Sequence, residues 1–437
     1  MQNIETLINA KWIIPIDAEE SVFNYHSLAI DQGEIIDILP TVDAKKQYMA
    51  KYDIDLLDHA LTPGFINSHT HAAMNLLRGF ADDLALMDWL QNHIWPAEAK
   101  WVSPEFVYEG TQLAIAESIR AGVTCFNDMY FFPDEAAKAV DETGFRATVG
   151  LIVIDFPTVW AANADQYLEK GLALHDFLKS HSRINTALAP HAPYTVSDEP
   201  LQKIATYAEQ LDIPIHMHVH ETAFEVAQAE ENSGKRPLQR LDELGLLSPR
   251  LLAVHMTQLS EQEIALCAKN GVHVVHCPDS NMKLASGSCP VHQLQQSHVN
   301  VCIGTDSASS NNNLDMLGET RSAALLGKVV SGDATAVSSY TALKMATING
   351  AKALGIDQIT GSLEKGKAAD ITAIDLSELE TQPLFNPVSQ IVYSACRTQV
   401  THVWVEGKCL LNERKLTTLD ELHLKSIAKR WNEKLAE

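Results

Sequence analysis

Short apolar, β-branched segments alternate with longer segments carrying helix signals between residues 61 and 307 of the 437-residue chain. Such alternation predicts βα units around a parallel sheet, and eight strands are the number that closes a (β/α)8 barrel. Helix ends support the pattern, because Ser103 precedes Pro104 as an N-cap and Gly122 follows a helical segment. The strands are predicted at 61–68, 122–129, 145–155, 183–190, 213–219, 251–256, 271–277 and 299–305.

The two ends of the chain differ from this middle region. Residues 1–60 and 367–411 hold short strand-like pieces with Asp-Gln-Gly and Glu-Gly-Lys turns, and neither end is long enough for a core of its own. They are predicted to combine into one small β-sandwich domain. The predicted organisation is 1–60 for its N-terminal part, 61–366 for the barrel, and 367–437 for its C-terminal part. From about residue 417 this last part reads as an amphipathic helix that docks on its own subunit.

Composition and charge narrow the class of protein. Hydrophobic residues make up 46% and charged residues 20%, which is typical of a globular protein. A formal charge of −23 would repel a nucleic acid or an anionic membrane, so a small neutral or cationic substrate is favoured. The seven cysteines contain no C-x-x-C pair, and no basic leader precedes an apolar core at the N-terminus. These features predict free thiols and a cytoplasmic location.

Two histidines close the first predicted strand, in the stretch FINSHTH. His69 and His71 are two residues apart, so on a strand they share a face, and the carboxyl end of a barrel strand faces the active site. Two imidazoles placed in this way suit adjacent positions around a divalent metal ion. Taken alone, an H-x-H pair is more often a pair of solvated or hydrogen-bonded histidines than a metal site.

Other predicted strand ends carry similar chemistry. Residues that can bind a metal or transfer a proton occur at four strand ends on the same side of the barrel. This shared position favours a metal centre over unrelated polar contacts. Strand alternation places three histidines of the fifth strand on one face and does not choose among them. The residues at these ends are His216, His218, His220 and Glu221 on the fifth strand, His255 on the sixth and Asp306 on the eighth.

Two familiar zinc signatures are excluded. The stretch HETAF begins like the H-E-x-x-H motif of metalloproteases, but Phe224 stands where the second histidine is needed. The H-x-E and P-C-x-x-C signature of deaminases acting on polynucleotides is also missing from the sequence.

In combination, the motifs resemble those of 5-methylthioadenosine/S-adenosylhomocysteine deaminases in the amidohydrolase superfamily. The segments are LTPGFINSHTH, HMHVHET, VHMTQL, HCPDSNMKLASG and IGTDSASSNNNLDMLGE, with GSLEKGKAADI near the end. The resemblance covers nearly the whole chain and implies a distorted (β/α)8 TIM-like barrel with a small β-sandwich from both termini. It implies hydrolytic deamination at C6 of 5′-methylthioadenosine or S-adenosylhomocysteine, with adenosine as a further candidate. A homodimer or homotetramer is the oligomeric state that the resemblance implies.

The same resemblance assigns roles to residues of this sequence. The H-x-x-E spacing of the family selects His218 as the ligand from the fifth strand. No lysine stands at the end of the fourth strand, Ala187 to His191, so a single divalent ion is expected, with zinc as the expected metal. The implied metal ligands are His69, His71, His218 and Asp306; the implied catalytic residues are Glu221, His255 and Asp306; and the implied substrate-binding residues are Glu98, His191, Glu221 and Asp306.

Several residues keep alternative interpretations. Glu221 could instead be a carboxylate at a helix start, and Asp306 could cap the turn that follows it. Glu98 and His191 could be structural, whereas Arg146 precedes its strand and is expected to form a structural salt bridge. For His276 and Asn281 in HCPDSNMKL, lining the pocket and internal packing stay equally open.

Two other functions stay open as alternatives. The runner-up is deamination or dechlorination of guanine, cytosine or an s-triazine by the same metal chemistry. A remote alternative is a metal-binding protein without catalysis, which the presence of Glu221 and Asp306 beside the ligands disfavours.

Overall fold

The computed structural model describes residues 1–436. Its strands form two eight-stranded sheets. In chain order the strands are β1 Gln2–Ile13, β2 Phe23–Asp31, β3 Glu34–Pro40, β4 Tyr48–Pro63, β5 Phe65–Thr70, β6 Val123–Tyr130, β7 Arg146–Val153, β8 Ile184–Pro190, β9 Ile215–Val219, β10 Leu251–His255, β11 His273–His276, β12 Val301–Ile303, β13 Ile371–Asp375, β14 Val400–Val405, β15 Lys408–Asn412 and β16 Lys415–Leu416.

The helices lie mostly between the barrel strands. Three short 3₁₀ segments, Ala72–Leu77, Leu379–Thr381 and Arg397–Gln399, and one π-helical segment, Trp89–Ile94, accompany them. The α-helices are α1 Thr41–Gln47, α2 Leu86–Asp88, α3 Trp95–Trp101, α4 Pro104–Arg120, α5 Pro133–Thr143, α6 Ala164–Leu178, α7 Asp198–Leu211, α8 Ala223–Ser233, α9 Pro237–Glu243, α10 Glu261–Asn270, α11 Pro278–Lys283, α12 Val291–Gln296, α13 Met316–Ser331, α14 Ser339–Met345, α15 Ile348–Ala353, α16 Pro387–Tyr393 and α17 Glu421–Leu435.

The barrel consists of β5 to β12 in sequential order, and neighbouring strands are parallel. The eight-stranded α/β barrel is therefore confirmed. The predicted first strand at 61–68 is wrong in one respect, because it spans two strands. β4 ends at Pro63 in the other sheet, and β5 begins at Phe65. The division falls at Gly64, whose N–H donates to the Asp370 carbonyl, while the Phe65 N–H donates to the Gly122 carbonyl.

Hydrogen bonds close the barrel between its first and last strands. The backbone N–H of Asp306 donates to the carbonyl of His69 at 3.0 Å, and Asn67 and Thr305 exchange side-chain and backbone hydrogen bonds beside it. Glycine is needed at Gly304, because a Cβ atom there would lie 2.8 Å from the backbone nitrogen of His69. Closure therefore brings Asp306 next to His69.

Strands from both termini form the second sheet, in the order β16-β15-β14-β13-β4-β1-β2-β3. β1 and β4 pair in parallel, and the other pairs are antiparallel. The small domain from both termini is thus confirmed, while the boundaries at 60–61 and 366–367 stay predictions. Arg146 joins the two sheets: its side chain is buried and donates to both carboxylate oxygens of Asp370, at 2.7 and 3.3 Å. This confirms the expected salt bridge.

The C-terminal helix α17 packs on the barrel, as the amphipathic pattern predicts. Its Trp431 ring lies 5.1 Å from that of Phe106 on α4, and its Nε1 atom donates to Glu109 at 2.6 Å. Within residues 1–436, no helix combines the length and the apolar character needed to cross a bilayer.

Candidate metal centre and active site

The four predicted metal ligands lie together at the carboxyl end of the barrel. His69 belongs to the end of β5, and His71 caps the 3₁₀ segment that follows. Their Nε2 atoms lie 3.3 and 3.4 Å from Oδ1 of Asp306. The ring centroid of His218 on β9 lies 4.9 Å from that of His69 and 5.3 Å from that of His71. Strands far apart in sequence therefore supply one compact cluster.

Backbone carbonyl groups fix the orientation of two of these rings. Nδ1 of His71 donates to the carbonyl of Met129 at 2.6 Å, and Nδ1 of His218 donates to the carbonyl of His191 at 2.7 Å. Because Nδ1 holds the proton in each ring, Nε2 presents its lone pair to the cluster. Both imidazoles are therefore prepared to bind a cation through Nε2.

The three histidines of the fifth barrel strand have different surroundings. Nε2 of His216 lies 2.8 Å from Nδ1 of His69, so His216 supports that ring from behind. His220 lies beyond the last residue of β9, with a φ of 54°, and its ring bonds to the backbone of Gln258 and Leu238. The alternation of a strand ends with the strand, which is why His220 does not share the face of the other two. Only the middle histidine reaches the cluster directly.

The donor set fits a divalent metal ion. Ligand atoms of His69, His71 and Asp306 lie within 4.8 Å of one another, as do those of His69, His218 and His255. Nε2 of His69 is buried and has no hydrogen-bond partner within residues 1–436. Burial lowers the pKa of both His69 and His218, which keeps their imidazoles neutral, as metal binding requires. Imidazole nitrogens with one carboxylate oxygen are a typical zinc set.

His255 lies in the same cluster but has a different hydrogen-bond partner. The side-chain amide nitrogen of Asn281 lies 2.9 Å from Nδ1 of His255. An amide nitrogen only donates, so Nδ1 accepts and the proton of the neutral ring resides on Nε2. That Nε2 atom lies 3.8 Å from Oε2 of Glu221. His255 is therefore arranged as a hydrogen-bond donor to a bound molecule, unlike the other cluster histidines.

Glu221 follows β9 and is buried, with 6% of its surface exposed. The backbone N–H groups of His220 and Glu221 donate to the carboxylate of Glu225, at 3.1 and 2.7 Å. Glu225 thus occupies the place at the start of α8 that the alternative interpretation gave to Glu221. Burial, and then the charges of Asp306 and Glu225, raise the pKa of Glu221 well above its ordinary value. The carboxyl group of Glu221 therefore holds its proton more strongly than an exposed glutamate does.

Asp306 uses both of its carboxylate oxygens. Oδ1, which faces His69 and His71, also accepts from the N–H of Ser307 at 2.7 Å. Oδ2 accepts from the hydroxyl of Ser280 at 2.6 Å. Asp306 therefore contacts the turn that follows it and the histidines as well, so the two interpretations of this residue are compatible.

Glu98 and His191 line the cavity that opens from the cluster. Oε1 of Glu98 accepts from the hydroxyl of Tyr130 at 2.7 Å, and burial raises the pKa of Glu98 to about 7. The ring of His191 lies 4.9 Å from that of His218, and burial lowers the pKa of His191 to about 3. The structure thus brings both residues to the candidate site.

The cavity has a volume of about 450 Å³, a size that suits a nucleoside or another small ligand. Predicted site residues line its inner end, and apolar residues line much of the remainder. The inner-end residues are His71, Glu98, His191, His218, Glu221, His255 and Asp306, and the apolar ones include Met74, Leu86, Trp89, Leu90, Ile94, Trp95, Ile152, Ile154, Phe156 and Val159.

Sequence reasoning missed three residues that support the site: Ser280, Glu225 and Tyr130. The HCPDSNMKL motif marked Asn281 as a candidate, but only the fold shows that it reaches His255. His276 from the same motif is buried, and within residues 1–436 neither of its ring nitrogens has a hydrogen-bond partner, which agrees with internal packing.

Comparison with known proteins places this geometry in a family. The chain matches the Amidohydrolase family over residues 60–410. It is 52% identical to a 5-methylthioadenosine/S-adenosylhomocysteine deaminase from Saccharophagus degradans, over 99% of this chain and 97% of that protein. A 5′-deoxyadenosine deaminase from Methanothermobacter thermautotrophicus is 42% identical, over 92% of this chain and 93% of that protein.

A solved structure extends the match to three dimensions. The crystal structure of an adenosine deaminase from Xanthomonas campestris with bound zinc aligns with a TM-score of 0.99 at 50% identity. The alignment covers 100% of this chain and 99% of that chain. The sequence and the fold of this chain therefore match those of these relatives over essentially the full length, and the chain belongs to the amidohydrolase family.

Proposed function

We propose that this protein catalyses hydrolytic deamination of an adenine nucleoside at C6, giving the inosine-type product and ammonia. The proposed substrates are 5′-methylthioadenosine, S-adenosylhomocysteine or both, with adenosine as a further candidate. The observation that carries the proposal is the buried carboxyl group of Glu221, 3.8 Å from His255 at the edge of the histidine and aspartate cluster. The names of the similar deaminases described above support the choice of substrate.

One divalent ion, expected to be zinc, would be held by His69, His71, His218 and Asp306. When bound, such an ion lowers the pKa of water and so supplies a nucleophile at neutral pH. The proposal of one ion rather than two is supported by β8, where buried Ala187 and Ala189 offer no bridging ligand. Metal analysis of the purified protein should therefore give one equivalent per chain.

Proton transfer is the task proposed for the carboxyl groups. C6 of adenine reacts poorly with water until N1 is protonated, and Glu221, with its raised pKa, would donate that proton. Asp306 would accept a proton from the attacking water and pass it to the departing amine, which would leave as ammonia, while the new hydroxyl group at C6 would return a proton to Glu221. Nε2 of His255, which carries the ring proton, would donate a hydrogen bond to the oxygen that develops at C6.

The ribose would lie farther along the same cavity. Glu98 in its ionised form is a suitable acceptor for the two ribose hydroxyl groups. Within residues 1–436, its one hydrogen bond from a side chain comes from Tyr130 to Oε1, which leaves Oε2 for the ribose. His191 is held by Thr195, 3.1 Å from its Nδ1 atom, and would bind the nucleoside through its other ring nitrogen. The structural alternative for these two residues predicts unchanged KM values after substitution.

The test is a steady-state comparison on one preparation whose metal content is known. The substrates are 5′-methylthioadenosine, S-adenosylhomocysteine, adenosine, guanine and an s-triazine. Turnover is measured by the loss of substrate absorbance and by the release of ammonia. Glu221→Gln should lower kcat by at least about a hundredfold, since a positioned acid contributes about that much or more. Glu230→Gln, on the exposed side of α8, is the matched control. Turnover confined to guanine or the triazine would overturn the proposed substrate.

We further propose that the protein forms a homodimer or homotetramer and that it is located in the cytoplasm. The location is supported by seven cysteines that are all free, five of them buried, which suits a reducing compartment. Multi-angle light scattering of the purified enzyme measures the oligomeric state, and a monomer at micromolar concentration would contradict it.

A further inference from the structure

The outer part of the cavity is walled by apolar side chains from two segments. One segment runs from Leu86 to Trp95, before and into α3, and the other follows β7, from Phe156 to Val159. The rings of Trp95 and Phe156 lie 6.3 Å apart, so the two segments contact each other across the cavity wall. We call Leu86, Leu90, Trp95, Phe156 and Val159 the apolar rim.

The apolar rim begins directly beside Glu98. Trp95 lies three residues before Glu98 on the same helix, so the two side chains share a face. If Glu98 accepts hydrogen bonds from the ribose hydroxyls, the C5′ substituent of the nucleoside lies against the rim. The chemistry of the rim therefore decides which 5′ substituents the site can accept.

The cavity offers no cationic partner for an anionic substituent. Within residues 1–436, the acidic side chains that line it are those of Glu98, Glu221 and Asp306, and no lysine or arginine joins them. Two nearby lysines are engaged elsewhere: Lys100 lies over the ring of Trp101, and Lys170 donates to the Trp160 carbonyl. A carboxylate bound at the rim would lose hydration without gaining a counter-charge, and Glu98 would repel it.

We infer that this site selects adenosines with an uncharged 5′ substituent, such as methylthio or hydrogen, over the zwitterionic homocysteinyl group of S-adenosylhomocysteine. The inference rests on the proposed deaminase function and narrows its substrate class. According to this inference, the site discriminates by the charge of the 5′ substituent and not by its length, because a neutral alkylthio chain as long as the homocysteinyl group can still contact Trp95, Phe156 and Val159.

The first test compares kcat/KM for four nucleosides on the metal-loaded enzyme. The substrates are 5′-methylthioadenosine, 5′-deoxyadenosine, 5′-butylthioadenosine and S-adenosylhomocysteine. The three uncharged compounds should exceed S-adenosylhomocysteine by about tenfold or more, a difference of about 1.4 kcal/mol. Equal values for 5′-methylthioadenosine and S-adenosylhomocysteine would overturn the inference. A butylthio compound as poor as S-adenosylhomocysteine would also overturn it, because length would then be the cause.

A second test adds the missing cation. Val159 and Phe156 are 51% and 43% exposed at the rim, so arginine can be introduced there with its guanidinium group in solvent. Val159→Arg should raise the ratio of kcat/KM for S-adenosylhomocysteine over 5′-methylthioadenosine by about three- to fivefold, the range of a partly exposed ion pair. Val159→Gln is the neutral control and should leave that ratio low. Phe156→Arg repeats the test from a nearby position of the rim. If the ratio is unchanged in both arginine variants, the inference is contradicted.

Binding separates this inference from the proposed function. Calorimetry with the Glu221→Gln protein measures affinity for 5′-methylthioadenosine and S-adenosylhomocysteine without turnover. If the wild-type enzyme turns over none of the four nucleosides, the proposed function fails, while the order of affinities still decides whether the rim selects against charge. A higher affinity for S-adenosylhomocysteine would overturn the inference even where deamination is observed.

Discussion

Replacement of Asn281 tests the assignment of His255 as a proton-bearing residue. Asn281 is buried, and its amide nitrogen donates to Nδ1 of His255 at 2.9 Å. Asn281→Ala removes that donor, so the neutral ring is free to carry its proton on Nδ1 instead of Nε2. Asn281→Asp goes further, because a carboxylate accepts from Nδ1 and fixes the opposite tautomer.

The size of the effect follows from one hydrogen bond. Leaving a buried polar group without its partner costs about 1–3 kcal/mol, which corresponds to about a 5- to 150-fold loss if the whole cost falls on the transition state. We therefore expect Asn281→Ala to lower kcat within this range with little change in KM, and Asn281→Asp to lower it more. The unequal effect on kcat and KM is expected because His255 would contact the oxygen only as it develops at C6.

The chain contains a matched control for this experiment. Asn300 makes the same contact with a ring at the opposite end of the barrel, where its amide nitrogen lies 2.8 Å from Nδ1 of His273. Asn300→Ala should cost a similar amount of stability, measured by thermal unfolding, while kcat stays at the wild-type value.

A metal-sensitive spectrum gives a second measure of the same prediction. With Co²⁺ in place of the native ion, the absorption spectrum reports the number and type of ligands. Asn281→Asp turns the lone pair of His255 Nε2 toward the cluster, so its Co²⁺ spectrum should change, whereas that of Asn300→Asp should not. The reasoning is refuted if both Asn281 variants keep wild-type kcat and the Co²⁺ spectrum does not change.

Three further predictions concern charge and stability. Glu98→Gln removes a carboxyl group whose pKa is raised by burial from 4.5 to about 7, so the wild-type protein loses stability as the pH rises from 4.5 to 7. In denaturation experiments at several pH values, the free energy of unfolding of the variant should exceed that of the wild type by up to about 3 kcal/mol above pH 7 and equal it below pH 4.5. Arg146→Met leaves Asp370 buried without its partner and should lower the free energy of unfolding by about 3–5 kcal/mol, measured in urea; an unchanged transition would contradict the ion-pair assignment. Removal of metal with a chelator should abolish turnover and lower Tm, and added zinc should restore both, unless the cluster binds no ion.

The alternating pattern of the chain was sufficient to predict the barrel. Each predicted strand after the first overlaps an observed one, because a strand buried on both sides reads as a continuous apolar run. The first strand was harder, since the apolar run continues across Gly64 while the hydrogen-bond partners change from one sheet to the other. Local composition does not record such a change of partner.

The grouping of the histidines with Asp306 was predictable for a related reason. His69 and His218 lie near the ends of parallel strands, and Asp306 follows the end of β12 by three residues, so the fold itself brings them together. Alternation alone could not choose among His216, His218 and His220, because the turn of the backbone at His220, just after β9, depends on tertiary contacts.

The supporting residues depend on contacts that no sequence spacing reveals. Ser280 and Asn281 are adjacent on α11, yet one bonds to Asp306 and the other to His255. Glu225 lies four residues after Glu221 and accepts from the backbone N–H groups of His220 and Glu221, just before α8, so the Glu221 carboxyl group does not bind them. Both distinctions require side-chain directions, which only the folded chain determines.

The most direct measurement of the central claim is a zinc titration of metal-free enzyme, with turnover of 5′-methylthioadenosine recorded at each step. We predict that ammonia release rises in proportion to bound zinc and reaches a plateau at one ion per chain, with the inosine-type product formed in equal amount. A protein that binds one zinc ion per chain yet leaves 5′-methylthioadenosine unchanged would contradict the claim.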